Sequence, residues 1–65
     1  MKIIGENIRK LRRAKNLTQM ELALLCNDKE FSQISRMERG LTNFSISYLL
    51  LVAEVLEVSP KDLLP

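Results

Sequence analysis

Histidine is absent from the 65-residue chain, and cysteine, glycine, proline and aromatic residues are scarce. Without histidine the chain lacks a common general base and a common metal ligand. The single cysteine, Cys26, excludes an internal disulfide and a cysteine cluster for zinc. Gly5 and Gly40 lie too far apart for a glycine-rich phosphate loop. These absences weigh against an enzyme, so we expect no catalytic residues, no metal and no cofactor.

Long apolar runs are missing as well. The most apolar stretch, residues 49–53, ends at Glu54 and is far short of the ~20 residues that span a bilayer. The N-terminus lacks the apolar segment of a signal peptide, so a cytoplasmic location is expected. The length predicts a single domain, residues 1–65, that buries only about 60% of its unfolded surface. A domain this small would gain stability from a partner subunit.

Charge is distributed unevenly along the chain. Residues 1–40 hold nine lysines and arginines against five acids, a net charge of +4, whereas residues 41–65 have a net charge of −2. A basic first part would attract a polyanion and an acidic second part would face away from it. The alternative is an ordinary solvated surface with charges scattered at random.

The sequence predicts an all-α fold of five helices, because proline occurs only at positions 60 and 65. The predicted helices cover residues 3–15, 19–26, 29–39 and 46–56, with a short helical turn at the end. Apolar residues at helical spacing predict the inward faces. These faces are Ile4, Ile8 and Leu11 in the first helix and Leu22, Ala23 and Cys26 in the second.

Helix boundaries have their own signals. Thr18 and Glu21 have the spacing of a capping box, in which each side chain bonds the other residue's backbone N–H. Asp28 is a candidate cap for the third helix. Gly40 fits the left-handed position that ends it.

The third predicted helix has two distinct faces. Phe31, Ile34 and Glu38 lie within one third of its circumference and are expected to point inward. The other side presents hydrogen-bond donors, as a helix that reads a DNA groove requires. These outward residues are Lys29, Ser32, Arg36 and Arg39, with Gln33 at the margin.

Several segments resemble the lambda-repressor-like family of the XRE or Cro type. They are IRKLRRAKNLTQMELALLC followed by ISRMERG, and the later SISYLLLVAEVL and VSPKDLL. The resemblance covers nearly the whole chain and implies five helices, with a helix-turn-helix formed by the second and third. It also implies a homodimeric transcriptional repressor that reads a near-palindromic double-stranded DNA operator through the third helix. In size and layout the chain is similar to restriction–modification controllers.

The resemblance also suggests individual DNA contacts. Arg36 suits bidentate bonding to guanine, Gln33 suits adenine, and Ser32 suits either a base or a phosphate. Each of these side chains could alternatively be an ordinary solvated surface residue. The residues expected to contact phosphate are Gln19, Lys29, Arg39, Thr42, Asn43 and Phe44.

Arg12 and Glu38 occupy positions where this family often has an ion pair, and we expect such a pair to link the first and third helices. The chain also departs from the family pattern, because the segment between the second and third helices is one residue longer. We expect Phe31 to fill the core in place of a turn valine. The alternative is that Phe31 contacts a thymine methyl group.

The fourth predicted helix is apolar almost all round. Ile46, Leu49, Ala53 and Leu56 can face the core, and a second apolar stripe is expected on the opposite side. An exposed stripe of this kind predicts a homodimer interface, with incidental surface residues as the alternative. The stripe consists of Tyr48, Leu51 and Val55.

Two other functions are compatible with this pattern. An antitoxin would bind a protein toxin and repress its own operon, and a toxin-like neighbouring gene would favour that function. A protein-interaction module would have kept the fold and lost DNA binding. Gln19, Gln33 and Arg36 argue against the module.

Overall fold

The computed structural model describes residues 2–41 and 45–65. Over those ranges it is all-helical and has no strand. The fifth helical segment is a single turn of 3-10 helix and not a full α-helix. None of the described helices is both long and apolar enough to cross a membrane. The elements are α1 (Lys2–Ala14), α2 (Gln19–Leu25), α3 (Ser32–Arg39), α4 (Ile46–Val55) and the 3-10 turn (Pro60–Asp62).

The capping box at the start of α2 is confirmed. Thr18 Oγ1 accepts from the Glu21 backbone N–H at 3.0 Å, and the Thr18 backbone N–H donates to Glu21 Oε1 at 2.8 Å. These hydrogen bonds with Thr18 lower the pKa of Glu21. Ser45 caps α4 in a similar way, because its hydroxyl oxygen accepts from the Tyr48 backbone N–H at 3.1 Å.

The third helix begins later than the sequence predicts. It starts at Ser32, with Phe31 in the capping position, so Lys29 lies in the preceding turn and not on the helix. Asp28 does not cap α3, since its Oδ1 accepts instead from the Glu30 backbone N–H at 3.1 Å. An aspartate that bonds the backbone two residues ahead stabilises a turn, and this turn delays the start of the helix.

Residues in the left-handed conformation follow α1 and α3, and at Gly40 this conformation was expected from the sequence. Asn16 follows α1 with a φ of 59°, and Gly40 follows α3 with a φ of 69°. The Gly40 N–H donates to the Met37 carbonyl and the Leu41 N–H to the Arg36 carbonyl, which satisfies two carbonyls at the end of α3.

The core lies where all four helices and the 3-10 turn meet. Two expectations about it are wrong. Phe31 is 51% exposed and Ile46 is 69% exposed, so neither fills the core. The later start of α3 places Phe31 in the turn, and the first turn of α4 projects Ile46 into solvent. Among the described residues, the buried apolar ones are Ile8, Leu22, Ala23, Cys26, Ile34, Met37, Leu49, Val52, Ala53, Leu56 and Leu63.

The apolar stripe of α4 also differs from its prediction. Tyr48, Leu51 and Val55 are partly buried and pack against the core, so they do not form the fully exposed stripe that the sequence predicts. Ile46 and Leu50 are the exposed large apolar residues of this helix. Val52 is completely buried. Compared with the predicted inward face, the observed inward face of α4 is therefore rotated toward Tyr48 and Val52.

Candidate DNA interface

The α3 helix separates its polar face from its packed face. Ile34, Met37 and Glu38 are buried. Ser32, Arg36 and Arg39 are exposed, and Gln33 is partly buried. The helix therefore presents one hydroxyl, one amide and two guanidinium groups on or beside a single surface. Such a surface can donate hydrogen bonds to base edges and phosphates.

A buried ion pair fixes the inner face of α3 to α1. Arg12 Nε donates to Glu38 Oε2 at 2.6 Å, and Arg12 Nη2 donates to Glu38 Oε1 at 3.0 Å. Both residues are less than a tenth exposed. A two-pronged arginine–carboxylate contact constrains orientation as well as distance, so it restricts rotation of α3 relative to α1.

Gln19 joins this ion pair from the start of α2. Its Nε2 donates to Glu38 Oε1 at 3.1 Å, and Arg12 Nη1 donates to the Leu17 carbonyl oxygen at 2.6 Å. Among the described residues, every buried side-chain nitrogen or oxygen has a hydrogen-bond partner. Glu38 is thus the point at which α1, α2 and α3 are connected.

Gly5 allows α1 and α3 to approach closely. A Cβ placed at this residue would lie 2.2 Å from the Met37 carbonyl oxygen and 2.7 Å from that of Glu38. Both atoms belong to the backbone, so a side chain here would force the helices apart. A glycine inside a helix costs stability relative to alanine, which is the sequence signal for such a contact.

A second connection, not foreseen from the sequence, supports the turn before α3. The Tyr48 hydroxyl donates to Asp28 Oδ2 at 3.0 Å, while the other Asp28 oxygen holds the turn. Burial and this hydrogen bond raise the pKa of Tyr48, so the hydroxyl stays protonated. Burial, followed by the Asp28 charge, also raises the pKa of the neighbouring Cys26 thiol. A buried thiol of this kind is unreactive.

The structure describes only some of the residues that were predicted to contact phosphate. Lys29 is exposed in the turn and Arg39 is exposed at the end of α3. Thr42, Asn43 and Phe44 lie outside the described residues. In the part of the chain that is described, no group of side chains could hold a metal ion.

An open apolar cleft lies beside the start of α3. It has a volume of about 400 Å³. Met20 and Phe31 supply its apolar surface and are 39% and 51% exposed. The remaining lining residues are Lys29, Glu30 and Ser32.

A profile of the helix-turn-helix family matches residues 8–63. The chain is 38% identical over 63 residues to control protein C.BamHI from Bacillus amyloliquefaciens, covering 95% of this chain and 76% of that protein.

The solved structures that this chain resembles are also those of regulators. The restriction-modification controller protein C.AhdI from Aeromonas hydrophila is similar with a TM-score of 0.89 and 35% identity, over 95% of this chain and 92% of that one. SinR, a master regulator for biofilm formation solved in complex with DNA, is similar with a TM-score of 0.86 and 40% identity, over 95% of this chain and 98% of that one. The chain therefore belongs to the helix-turn-helix family of the XRE type, a family of DNA-binding transcriptional regulators.

Proposed function

We propose that this protein is a homodimeric repressor or controller of transcription that reads a near-palindromic operator through α3. The observation that carries the proposal is the division of α3 into two faces. Its inner face is fixed to α1 and α2 through Glu38, and its outer face presents Ser32 and Arg36 to solvent. In this proposal α2 and α3 form the helix-turn-helix, and the fixed inner face presents α3 to the major groove.

Base reading is assigned to three residues of α3. Arg36 has the two parallel donors that match guanine O6 and N7. Gln33 has the donor and acceptor that match adenine, and Ser32 can bond either a base or a phosphate. Gln33 is partly buried, so its side-chain amide can adopt fewer orientations than the amide of a fully exposed glutamine.

Phosphate contacts fix the protein's register on the duplex without reading sequence. Lys29 and Arg39 flank the base-reading residues along the chain, and both are exposed. Gln19 lies at the start of α2, and its side-chain amide nitrogen donates one hydrogen bond to Glu38. The same nitrogen carries a second hydrogen that can be donated to a phosphate oxygen. The proposed set is completed by Thr42, Asn43 and Phe44.

The relatives support the regulatory role. C.BamHI is a control protein, C.AhdI is a restriction-modification controller, and SinR is a regulator solved with DNA. Their names describe control proteins and regulators, so we place this chain in the same functional class. The C.BamHI and C.AhdI matches favour a controller. We propose that it acts on a nearby promoter.

A homodimer accounts for the apolar outer surface of α4. Leu50 is 47% exposed, and Leu51 and Val55 are partly exposed beside it. Apolar residues clustered on one face mark an interface more often than isolated ones do. Tyr48 belongs to the core side through Asp28, so we propose Leu50, Leu51 and Val55 as the centre of the dimer contact. A two-fold dimer places two α3 helices about one turn of DNA apart.

Fluorescence anisotropy tests the proposal with two labelled duplexes, the protein's own upstream DNA and a scrambled version. We expect tighter binding to the upstream duplex and an affinity that falls steeply with salt. The slope of log K against log salt is about −0.9 for each phosphate neutralised. Equal binding to both duplexes at every salt concentration would contradict sequence-specific control.

Substitutions at Arg36 separate base reading from simple charge attraction. We expect Arg36→Ala to lose about 1–3 kcal/mol of discrimination between the two duplexes. Arg36→Lys keeps the charge but not the two-pronged geometry, so it should retain affinity for scrambled DNA while losing discrimination. Lys61→Ala is the control, because it removes one exposed positive charge from the 3-10 turn. Unchanged discrimination in Arg36→Ala would exclude Arg36 as a base-reading residue.

A further inference from the structure

The apolar cleft beside α3 lies within the surface proposed to face DNA. Phe31 immediately precedes Ser32, the first residue of α3 and a proposed base contact. Its ring is half exposed, although an aromatic side chain carries a large apolar surface that packing normally buries. Met20 lines the same cleft from α2. Two large apolar side chains are therefore exposed to solvent next to the polar surface that is proposed to read bases.

The major groove offers one apolar group that fits such a place. Thymine presents a 5-methyl group beside its O4 acceptor, and apolar side chains contact that methyl directly. The other groups at the base edges there are hydrogen-bond donors and acceptors, which a phenyl ring and a thioether do not satisfy.

We propose that Phe31 and Met20 form a receptor for a thymine 5-methyl group, so that Phe31 is a specificity-determining residue of the operator contact. The inference rests on the proposed function, because the cleft meets a base only if α3 enters the major groove. It adds a shape-based contact to the hydrogen bonds of Ser32, Gln33 and Arg36.

The turn holds Phe31 in a defined position. Asp28 Oδ1 accepts from the Glu30 backbone N–H, and Asp28 Oδ2 accepts from the Tyr48 hydroxyl. These bonds fix the two residues on either side of Lys29 and leave Phe31 at the mouth of the cleft. A rigid aromatic group loses little conformational freedom when it binds, which suits it to recognising a single methyl group.

The two charged residues that line the cleft, Lys29 and Glu30, favour a base as its occupant. Lys29 can reach a phosphate on one side. The Glu30 carboxylate disfavours phosphate but can accept from a cytosine N4 amino group. The cleft therefore combines one cation, one anion and an apolar floor, and a base edge suits that mixture better than a phosphate does.

The test replaces thymines in the bound duplex one at a time with deoxyuridine, which removes only the 5-methyl group. The duplex is the protein's upstream DNA or, if that is bound weakly, the tightest sequence selected from a random library. We expect wild type to lose affinity about fourfold at one thymine in each half-site, the effect of burying one methyl group. Elsewhere in the duplex the replacement should have little effect.

Variants then assign the effect to Phe31. Phe31→Ala should bind thymine and deoxyuridine equally at the sensitive position, and Phe31→Leu should retain part of the difference. Leu24→Ala is the matched control, since Leu24 is 54% exposed on α2 and is not among the described residues that line the cleft. It should discriminate as wild type does.

Three results would overturn the inference. Tight operator binding by wild type with a flat deoxyuridine scan would reject the methyl contact and leave the proposed function standing. Full discrimination retained by Phe31→Ala would reject Phe31 as the receptor, as expected if the cleft served an apolar side chain of another protein. Failure of wild type to prefer any duplex would overturn both the inference and the proposed function.

Discussion

The two ends of α3 are held in different ways. The C-terminal half packs on α1 through Met37 and Glu38, with Gly5 permitting close approach and Arg12 forming a buried ion pair. The N-terminal end follows an open turn in which Phe31 is half exposed and Ser32 is exposed. The half of the helix that packs on α1 sets its direction, while the end that would meet DNA is left accessible.

The connections differ in chemistry as well. The α1 side uses a buried ion pair, which is directional and costly to leave half made. The turn side uses Asp28, whose two oxygens bond a backbone N–H and the Tyr48 hydroxyl near the surface. We therefore expect changes on the α1 side to affect stability most. Changes on the turn side should affect stability less and DNA recognition more.

The largest effect is expected for Arg12→Ala. It leaves the Glu38 carboxylate buried without its cationic partner, which costs about 3–5 kcal/mol of unfolding free energy. Chemical denaturation measures this value. Arg13→Ala is the control, because Arg13 is its exposed neighbour. A loss below about 1 kcal/mol in Arg12→Ala, as for a surface pair, would contradict the account.

The double variant Arg12→Met with Glu38→Leu separates stability from orientation. Apolar pairs of similar volume often replace a buried ion pair without loss of stability. We expect near-wild-type unfolding but weaker discrimination between operator and scrambled DNA, because the two-pronged contact that restricts rotation of α3 relative to α1 is then lost. Unchanged discrimination in a stable double variant would show that the ion pair does not orient α3.

A smaller effect is expected for Gly5→Ala. The added methyl group would meet the Met37 and Glu38 carbonyl oxygens, and such overpacking typically costs about 1–3 kcal/mol. This loss should appear although alanine favours an isolated helix. Glu6→Ala is the control, as Glu6 is exposed on the same helix. A Gly5→Ala protein more stable than wild type in thermal melts would contradict the close approach.

The sequence predicted helix positions better than side-chain partners. Helical spacing located the first, second and fourth helices to within about a residue, because apolar periodicity and capping residues are local signals. The ion pair of Arg12 with Glu38 was expected from the family resemblance and is present in the structure. The predicted start of α3 was wrong. Asp28 can cap a helix or stabilise a turn, and which of the two it does depends on the conformation of the residues that follow it.

Other features depended on tertiary packing. Tyr48 was predicted on an outer stripe, but its hydroxyl reaches Asp28, which lies 20 positions earlier in the chain. Phe31 was predicted in the core, but the turn places it outside. The close approach at Gly5 had only a weak sequence signal, because a glycine in a helix does not reveal which element packs on it.

Of the three single substitutions expected to lower stability, at Arg12, Gly5 and Tyr48, the smallest effect is expected for Tyr48→Phe. The ring is kept and one partly buried hydrogen bond to Asp28 is lost, and a typical hydrogen bond contributes about 0.5–1.5 kcal/mol. We expect little change in dimerisation, measured by sedimentation, and weaker operator binding because the turn before α3 is less fixed. Ser47→Ala is the control, since Ser47 is exposed on the same helix. Loss of the dimer in Tyr48→Phe would instead place Tyr48 in the interface.

Amide chemical shifts followed by NMR during titration with the operator duplex test the central claim most directly. The account predicts that the largest shifts fall at Ser32, Gln33 and Arg36, with smaller ones at Gln19 and Lys29. Largest shifts confined to α4, with those of α3 unchanged, would contradict the assignment of α3 as the DNA-reading helix.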